Sequence, residues 1–436
     1  MSLSIIVLAA GKGSRMLSST PKVFHNVGNH PMLFHVLDTA SSLKNNLINL
    51  VISHSLFEFK DIIKKKYKRI SFSTQLKQKG TADAVKTALE NINEEKSKIT
   101  LVLYGDTPLV SKKTLSNSLD KFKKEDLDLC VLSMKPDEIK NNYGKLKFID
   151  NKLVGIVEQS ELKTKVKEMN ICNSGIMIFK TESLIKNLNL VKNKNAKSEF
   201  YLTDLVEIFV NKNLMVDHFP CKYEETLGVN SMNDLAIINQ KFQSSRRNSF
   251  LRKGVIMDAP QTVFFSYDTK IGKNVTIQPN VYFGPSVSIN NDVIIKSFSY
   301  LENVKVDNNV AIGPFSRIRD GVDIKAEVKI GNFVEIKKSS IGENVKISHL
   351  AYIGDATIYK NSNIGAGAIT CNYDGVKKNK TVIGENCFVG SNTSLVAPLK
   401  IKKGSVIGAG TVVNQDIPDE TVVYRKSELI QKNKKK

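Results

Sequence analysis

The chain has 436 residues, more than one hydrophobic core ordinarily serves, so two domains are expected. It is 41% hydrophobic and 25% charged, and no apolar run approaches the ~18 residues that span a bilayer, which argues against a membrane-spanning class. The net charge of +21 lies in lysine-rich solvated stretches such as residues 64–69 and 432–436. These lack the interleaved aromatics of a single-strand binder and the pattern of a recognition helix, so nucleic acid is not the expected partner. A field of this sign instead draws in small phosphate-bearing substrates.

The N-terminus, MSLSIIVLAAGKGSR, has a short apolar run without a preceding basic region or a cleavage-like site, and reads as a buried first strand. Residues 1–232 alternate short apolar runs with helical patterns. SIIVLAA, NLVIS, ITLVLYGD, LDLCVLSMK and GIMIFK predict strands; HPMLFHVLDTASSL and TADAVKTALENI predict crossover helices. Such alternation implies a mostly parallel, Rossmann-like α/β sheet with ligands at the strands' carboxyl ends. The five cysteines (Cys130, Cys172, Cys221, Cys371, Cys387) are scattered without a Cys-x-x-Cys pair. That pattern points to reduced thiols in a cytoplasm, against a disulfide frame or a structural zinc.

Leu8-Ala9-Ala10-Gly11-Lys12-Gly13-Ser14-Arg15 follows the first strand and is expected to enter a helical segment, where backbone N–H groups can approach a phosphate. Pro21-Lys22 adds a second cation. Tyr104-Gly105-Asp106 places a carboxylate after a strongly apolar strand. Taken singly, these are a turn, a solvated lysine and a turn aspartate. Together they describe a nucleotide site with Mg²⁺. The loop is not a Walker A, since Gly-Lys-Ser/Thr is missing at the required spacing.

Residues 233–253 place Leu235, Ile238 and Phe242 at helical spacing and read as a helical linker. From residue 254 to 436 the period changes to six. Ile271, Ile277, Phe283, Ile289, Ile295 and Leu301 recur at that spacing; after a slip of one come Val306, Ile312, Ile318, Ile324, Ile330 and Ile336. Ile341, Ile347 and Ile353 follow, then Ile383, Val389, Leu395, Ile401, Ile407 and Val413. No helix repeats at six, and the pattern specifies a left-handed parallel β-helix of hexapeptide repeats, with one apolar residue pointing inward on each side of a triangular coil. The run 363–375 breaks the period as an excursion lining a site would. His349 has no structural role in such a repeat. Alone it is a surface histidine, but it lies between the coils of Arg319 and Lys337 and those of Asn363, Ala366, Asn372-Tyr373, Ser391 and Ala409.

Leu-Ala-Ala-Gly-Lys-Gly-Ser-Arg-Met, Pro-Lys-Val and Tyr-Gly-Asp resemble the motifs of sugar-1-phosphate nucleotidyltransferases. With the β-helix added, essentially the whole chain resembles the bifunctional N-acetylglucosamine-1-phosphate uridyltransferase/glucosamine-1-phosphate acetyltransferases. The resemblance implies that Leu8, Ala9, Ala10, Gly11, Arg15 and Lys22, with Tyr104 and Gly105, hold UTP, and that Gln75, Gly80 and Thr81 read uracil. It implies that Gly144, Glu158 and Asn173 hold the N-acetylglucosamine unit and that Asp106 and Asn230 bind Mg²⁺. In the β-helix it makes His349 the general base toward the glucosamine-1-phosphate amine, a task suited to an imidazole, whose ordinary pKa is ~6.5. Arg319, Lys337, Tyr352 and Asn363 would hold the sugar phosphate. Ala366, Asn372, Tyr373, Ser391 and Ala409 would contact acetyl-CoA. Where the family has an arginine for the CoA phosphates, this chain offers Lys426 or Arg425. The resemblance further implies a homotrimer with ligands between chains. The other readings of the residues are a monofunctional nucleotidyltransferase with a structural β-helix, and a basic nucleic-acid or assembly scaffold.

Overall fold

The computed structural model describes residues 3–44, 46–92, 97–136, 143–158, 170–195, 197–426 and 430–432. They fall into two compact units, Met1–Phe242 and Gln243–Lys436. The expected basic tail lies mostly outside the described residues.

The first unit is built around Leu3–Leu8, buried at every position. It pairs in parallel with Asn46–Ile52 on one edge and Ile99–Tyr104 on the other, and Ile70–Thr74 extends the sheet beyond Asn46–Ile52. Strands covered on both faces need apolar residues at every position, which is why LSIIVL and ITLVLY show no alternation. Ile5 and Val7 pack with Leu33, Leu37 and Leu115 on one face; Ile6 and Leu8 pack with Val85, Leu205 and Phe209 on the other. The covering helices are therefore Met32–Ser41 and Lys112–Lys124 on the first face, and Thr81–Leu89, Thr181–Leu188 and Asp204–Asn211 on the second.

The sheet is mostly parallel, as expected, with an antiparallel part: Cys172–Lys180 runs antiparallel between Ile99–Tyr104 and Leu129–Met134, and it also pairs with a hairpin of Lys145–Ile149 and Lys152–Val157. One expectation fails: the glycine loop does not open an α-helix. It passes into one 3₁₀ turn, Ser14–Met16, bounded by Gly13 at φ 63° and Leu17 at φ 47°. A right-handed helix cannot run through residues held in the left-handed region. The next α-helix starts at Met32.

In the second unit, short strands stack into three parallel sheets, one per side of the coil. Every periodic apolar residue named above is buried except Ile271, which is partly so. Each contributes about 1.5–3 kcal/mol of burial before chain entropy is subtracted. Corners are turned by left-handed residues: Asn309, Asn344, Asn361 and Asn386 in one column, Phe298, Phe315, Phe333 and Leu350 in another. Asparagine tolerates this conformation and adds a side-chain ladder, with Asn344 donating to Asn361 and Asn361 to Asn386, each at 3.1 Å. The first of those pairs is 17 residues apart and the second 25, so one coil carries an insertion.

Residues 233–253 lie largely within one helix, Met232–Leu251, and the division between units falls inside it. Ile238 packs with Met16, Val27 and Val229 of the first unit. Gln243 makes a paired exchange with the backbone of Phe265 (2.7 and 2.8 Å), and Phe250 joins the β-helix core, so the helix's last turns cap the open end of the first coil. An uncapped end would leave strand edges and core unpaired.

Candidate active sites

In the first unit, the carboxyl ends of Leu3–Leu8 and Ile99–Tyr104 lie side by side. Gly105 donates its N–H to the Leu8 carbonyl at 2.9 Å. A Cβ at Gly105 would come 3.2 Å from Ala9, so glycine lets the two strand ends close up. Ala9 and Ala10 are buried, whereas Gly11, Lys12 and Arg15 are exposed or partly so. Lys22 forms an ion pair with Asp106, and its Nζ donates to Asn230 Oδ1 at 3.0 Å. Arg15 Nη2 donates to the same oxygen at 2.9 Å. Val229 N–H donates to the Asp106 carbonyl at 3.1 Å, which ties the two oxygen-bearing residues together.

Sequence reasoning missed what aims Asn230. Asp234 Oδ2 accepts from the N–H groups of Asn230 and Ser231, and Ser231 Oγ accepts from Asp234 N–H. This reciprocal cap starts the helix at Met232, and its signature, Ser231-x-x-Asp234, stands in the sequence.

Gln75, Gly80 and Thr81 come together at a second edge. Gln75 is buried and donates both to Gly80 O (3.1 Å) and to Asp83 Oδ2 (2.8 Å), which commits its amide N–H groups and leaves its carbonyl oxygen as an acceptor. Gly144, Glu158, Asn173 and Tyr104 form the third part. Asn173 N–H donates to Gly144 O at 2.8 Å, and Gly175 N–H to Asn173 Oδ1 at 2.8 Å. Glu158 accepts from Thr203 Oγ1 at 3.1 Å and lies 3.3 Å from where a Gly144 Cβ would be. Burial, with the nearby Asp106 and Glu158 carboxylates, pushes the Tyr104 phenol well above its usual range, so it stays a neutral hydrogen-bonding group.

The second cluster lies along one edge of the β-helix. Asn332 pairs with His349 in the parallel register, and Ile347 pairs with Ile364, Ile364 with Val389, and Val389 with Ile407. Two residues beyond these positions stand His349, Ala366, Ser391 and Ala409, which therefore form one column. Backbone bonds from Gly367 N–H to His349 O, Asn392 N–H to Ala366 O and Gly410 N–H to Ser391 O run up that column. An exposed imidazole thus stands at the foot of a strip of small side chains.

Around the corner, Arg319 pairs with Lys337 and Glu335 with Tyr352. Arg319 Nε donates to Glu335 at 2.7 Å and its Nη1 to Asp320 at 2.7 Å; Lys337 Nζ reaches Asp320 at 3.4 Å. The hydrogen bond to Glu335 raises the pKa of Arg319 further. The inserted segment is a hairpin bridged at Tyr373 and Lys378. Asn372, at its start, is buried and donates to Asp355, while Tyr373 is exposed. Lys337 stands beside Lys378, and the neighbouring like charge lowers the pKa of Lys378. Lys378, Glu335 and Asp320 were not singled out from sequence. Tyr352 and Asn372 meet across Gly354, where a Cβ would come within 2.5 Å of the phenol oxygen and 2.7 Å of the amide. Asn363 lies on the histidine's own side, paired with Lys346. Arg425 and Lys426 are exposed beyond the last strand, Val422–Val423.

An α/β unit with a glycine loop and a strand-end carboxylate, followed by stacked hexapeptide coils with a histidine at one edge, defines a nucleotidyl transferase joined to a hexapeptide-repeat transferase. Residues 4–224 match the nucleotidyl transferase family, 268–303 and 380–415 the bacterial transferase hexapeptide (six repeats), and 300–397 the GMPPB C-terminal domain. The chain is 40% identical to "Bifunctional protein GlmU" of Zymomonas mobilis, over 99% of this chain and 95% of that one. It is also 40% identical to "Bifunctional protein GlmU" of Wolbachia pipientis wMel, over 98% of each. The chain belongs to the bifunctional GlmU family.

Proposed function

We propose that the chain makes UDP-N-acetylglucosamine in two steps. The β-helix unit acetylates glucosamine-1-phosphate from acetyl-CoA. The α/β unit then transfers UMP from UTP to N-acetylglucosamine-1-phosphate and releases pyrophosphate. The observation that carries this reading is the column of His349, Ala366, Ser391 and Ala409 with Arg319, Lys337 and Tyr352 around the corner: a base, a small-residue track and a cationic patch at one edge.

In the acetyl step, the amine of the sugar attacks the thioester carbonyl, the imidazole of His349 takes the proton, and the CoA thiolate leaves. Arg319, Lys337, Tyr352 and Asn363 hold the sugar phosphate. Ala366, Asn372, Tyr373, Ser391 and Ala409 line the path of the pantetheine arm, and Arg425 or Lys426 meets the CoA phosphates.

In the uridylyl step, a phosphate oxygen of the sugar attacks the α-phosphorus in line and pyrophosphate leaves. Leu8 to Gly11 hold the nucleotide, and Arg15 and Lys22 neutralise charge developing on the phosphates. The acceptor oxygen of Gln75 suits the N3–H donor of uracil and opposes cytosine, whose N3 is an acceptor. Gly144, Glu158 and Asn173 hold the acetamido sugar.

Asp106 and Asn230 fit Mg²⁺. They are two hard oxygen donors that already converge on one cation, the Lys22 ammonium. Among the described residues no group of three or more metal-binding side chains occurs, which suits an ion that keeps several waters and takes substrate phosphates. When bound there, Mg²⁺ supplies charge neutralisation at the phosphates.

The same reading makes the chain a cytoplasmic homotrimer. Its five free thiols and the lack, among the described residues, of a helix able to cross a membrane accord with the first part. Incubating the protein with UTP, acetyl-CoA and glucosamine-1-phosphate and identifying products by mass spectrometry tests the activities. Free CoA, pyrophosphate and UDP-N-acetylglucosamine are expected; UTP consumption without CoA release would reduce the β-helix to a structural role. Sedimentation equilibrium tests the trimer.

A further inference from the structure

We propose that Asn332 is a positioning residue for His349. Its amide oxygen holds the imidazole as the Nδ1–H tautomer and leaves the Nε2 lone pair to accept the substrate's proton. The inference rests on the acetyltransferase reading above and adds to it a residue and an atom.

His349 Nδ1 bonds Asn332 Oδ1 at 2.5 Å. An amide oxygen only accepts, so the ring nitrogen facing it carries the proton. The contact is built by the backbone and is not a chance meeting of surface side chains. Lys329–Asn332 and Lys346–His349 are four-residue strands in a ladder where most rungs on that side have two, and Asn332 pairs with His349 in register. Gly331 makes the close approach possible. A Cβ there would come 1.7 Å from Ser348 O, so any other residue would pry the two strands apart at the rung before the histidine.

The carboxylates of the cluster are committed elsewhere, Glu335 and Asp320 to Arg319, with Lys337 beside Asp320. An amide orients the ring without setting a charge against it. On the other side of His349 the column continues with Ala366, Ser391 and Ala409. The ring is therefore braced from the Asn332 side, and the small-residue side is left for the acyl donor.

The test combines ¹⁵N NMR of the full-length protein, at a pH where His349 is neutral, with steady-state kinetics. The wild type is expected to show His349 as the Nδ1–H tautomer. Asn332→Ala is expected to move it toward Nε2–H and to lower the acetyl-transfer kcat about 10-fold or more, with the KM values for both substrates and the uridylyl reaction unchanged. Asn332→Asp keeps an acceptor oxygen and is expected to keep the Nδ1–H tautomer. A wild-type Nε2–H ring, an unimpaired Asn332→Ala enzyme, or loss of the Nδ1–H tautomer in Asn332→Asp would each overturn the assignment. His349→Ala separates the two levels of inference. If it transfers acetyl groups at the wild-type rate, His349 is not the base and the reading of this site fails; if it is inactive while Asn332→Ala is unimpaired, only the role of Asn332 fails.

Discussion

In the β-helix unit, neighbours in space are set by a nearly constant step along the chain. In the α/β unit, apart from its hairpins, each neighbour is set by its own long connection. His349 meets Asn332 because the residues are one coil apart, 17 positions, and the same rule stacks Asn361 on Asn344. Lys22 meets Asn230 across 208 positions by a route that no local rule predicts. One half builds a site by interrupting a repeat, the other by converging the ends of strands. The two sites should therefore be separable by mutation.

The largest expected effect tests that separation. His349→Ala should lower acetyl transfer by about 10²–10⁴-fold and leave uridylyl transfer intact; Asp106→Ala should do the reverse. Both rates are measured on one preparation with each half-reaction's substrates. Loss of both activities in a folded variant would show that the halves are coupled.

Stability should divide along the same line. Ile295 is wholly buried on a coil below the proposed acetyl site. Ile295→Ala removes a rung of the core and should cost about 2–5 kcal/mol, because stacked coils collapse poorly around a gap. The urea midpoint for acetyl-transfer activity should fall while the midpoint for uridylyl transfer holds.

The same contrast governs what was legible in the sequence. The six-residue period predicts the β-helix nearly residue by residue, and the break in period at 363–375 marks the inserted hairpin that brings Asn372 and Tyr373 to the site. The apolar runs predict the central strands of the other unit. They carry no sign that Cys172–Lys180 runs antiparallel, since burial on both faces erases strand direction from the pattern. The hairpin Lys145–Ile149/Lys152–Val157 was missed although its turn is marked: Asp150 and Asn151 sit at φ 49° and 60°, the two-residue turn that Asp and Asn favour. The proposed catalytic groups were found through motif resemblance. Their supports were not: Asp234 is marked by the Ser231-x-x-Asp234 cap, which was overlooked, whereas Glu335 and Asn332 are defined by partners one coil away.

A smaller effect concerns pH. Of the six histidines, five lie in the α/β unit. His35 donates Nε2–H to Val27 O at 2.8 Å, with His30, Asp38 and Lys66 nearby and the Phe242 ring against it. Burial lowers its pKa to about 4. Below pH ~6.5 the unfolded chain binds a proton that the folded ring refuses, so stability falls as pH drops from ~6.5 toward 4, by up to ~3 kcal/mol. The 222 nm urea midpoint should fall across this window in the wild type. His35→Gln keeps a donor for Val27 O and should flatten the dependence.

Two glycines of the nucleotide side give the smallest and most selective contrast. Gly80 sits at φ 119°, ψ 177°, a region nearly closed to other residues, and a Cβ there would lie 2.4 Å from Phe200 O. That carbonyl also accepts from Ala82 N–H at 2.9 Å, so it cannot retreat without opening the start of the helix Thr81–Leu89. Gly80→Ala should therefore cost about 1–3 kcal/mol and weaken UTP binding together, since the displaced turn carries Thr81 and anchors Gln75. Gly11 has nothing within 4 Å of a built Cβ. Its replacement by alanine should leave the urea midpoint within about 0.5 kcal/mol of wild type while lowering UTP affinity, because the added methyl group meets the ligand and no part of the chain. If Gly11→Ala destabilised the protein as Gly80→Ala does, the loop would be a structural turn, and its assignment to the nucleotide phosphates would lose its physical basis.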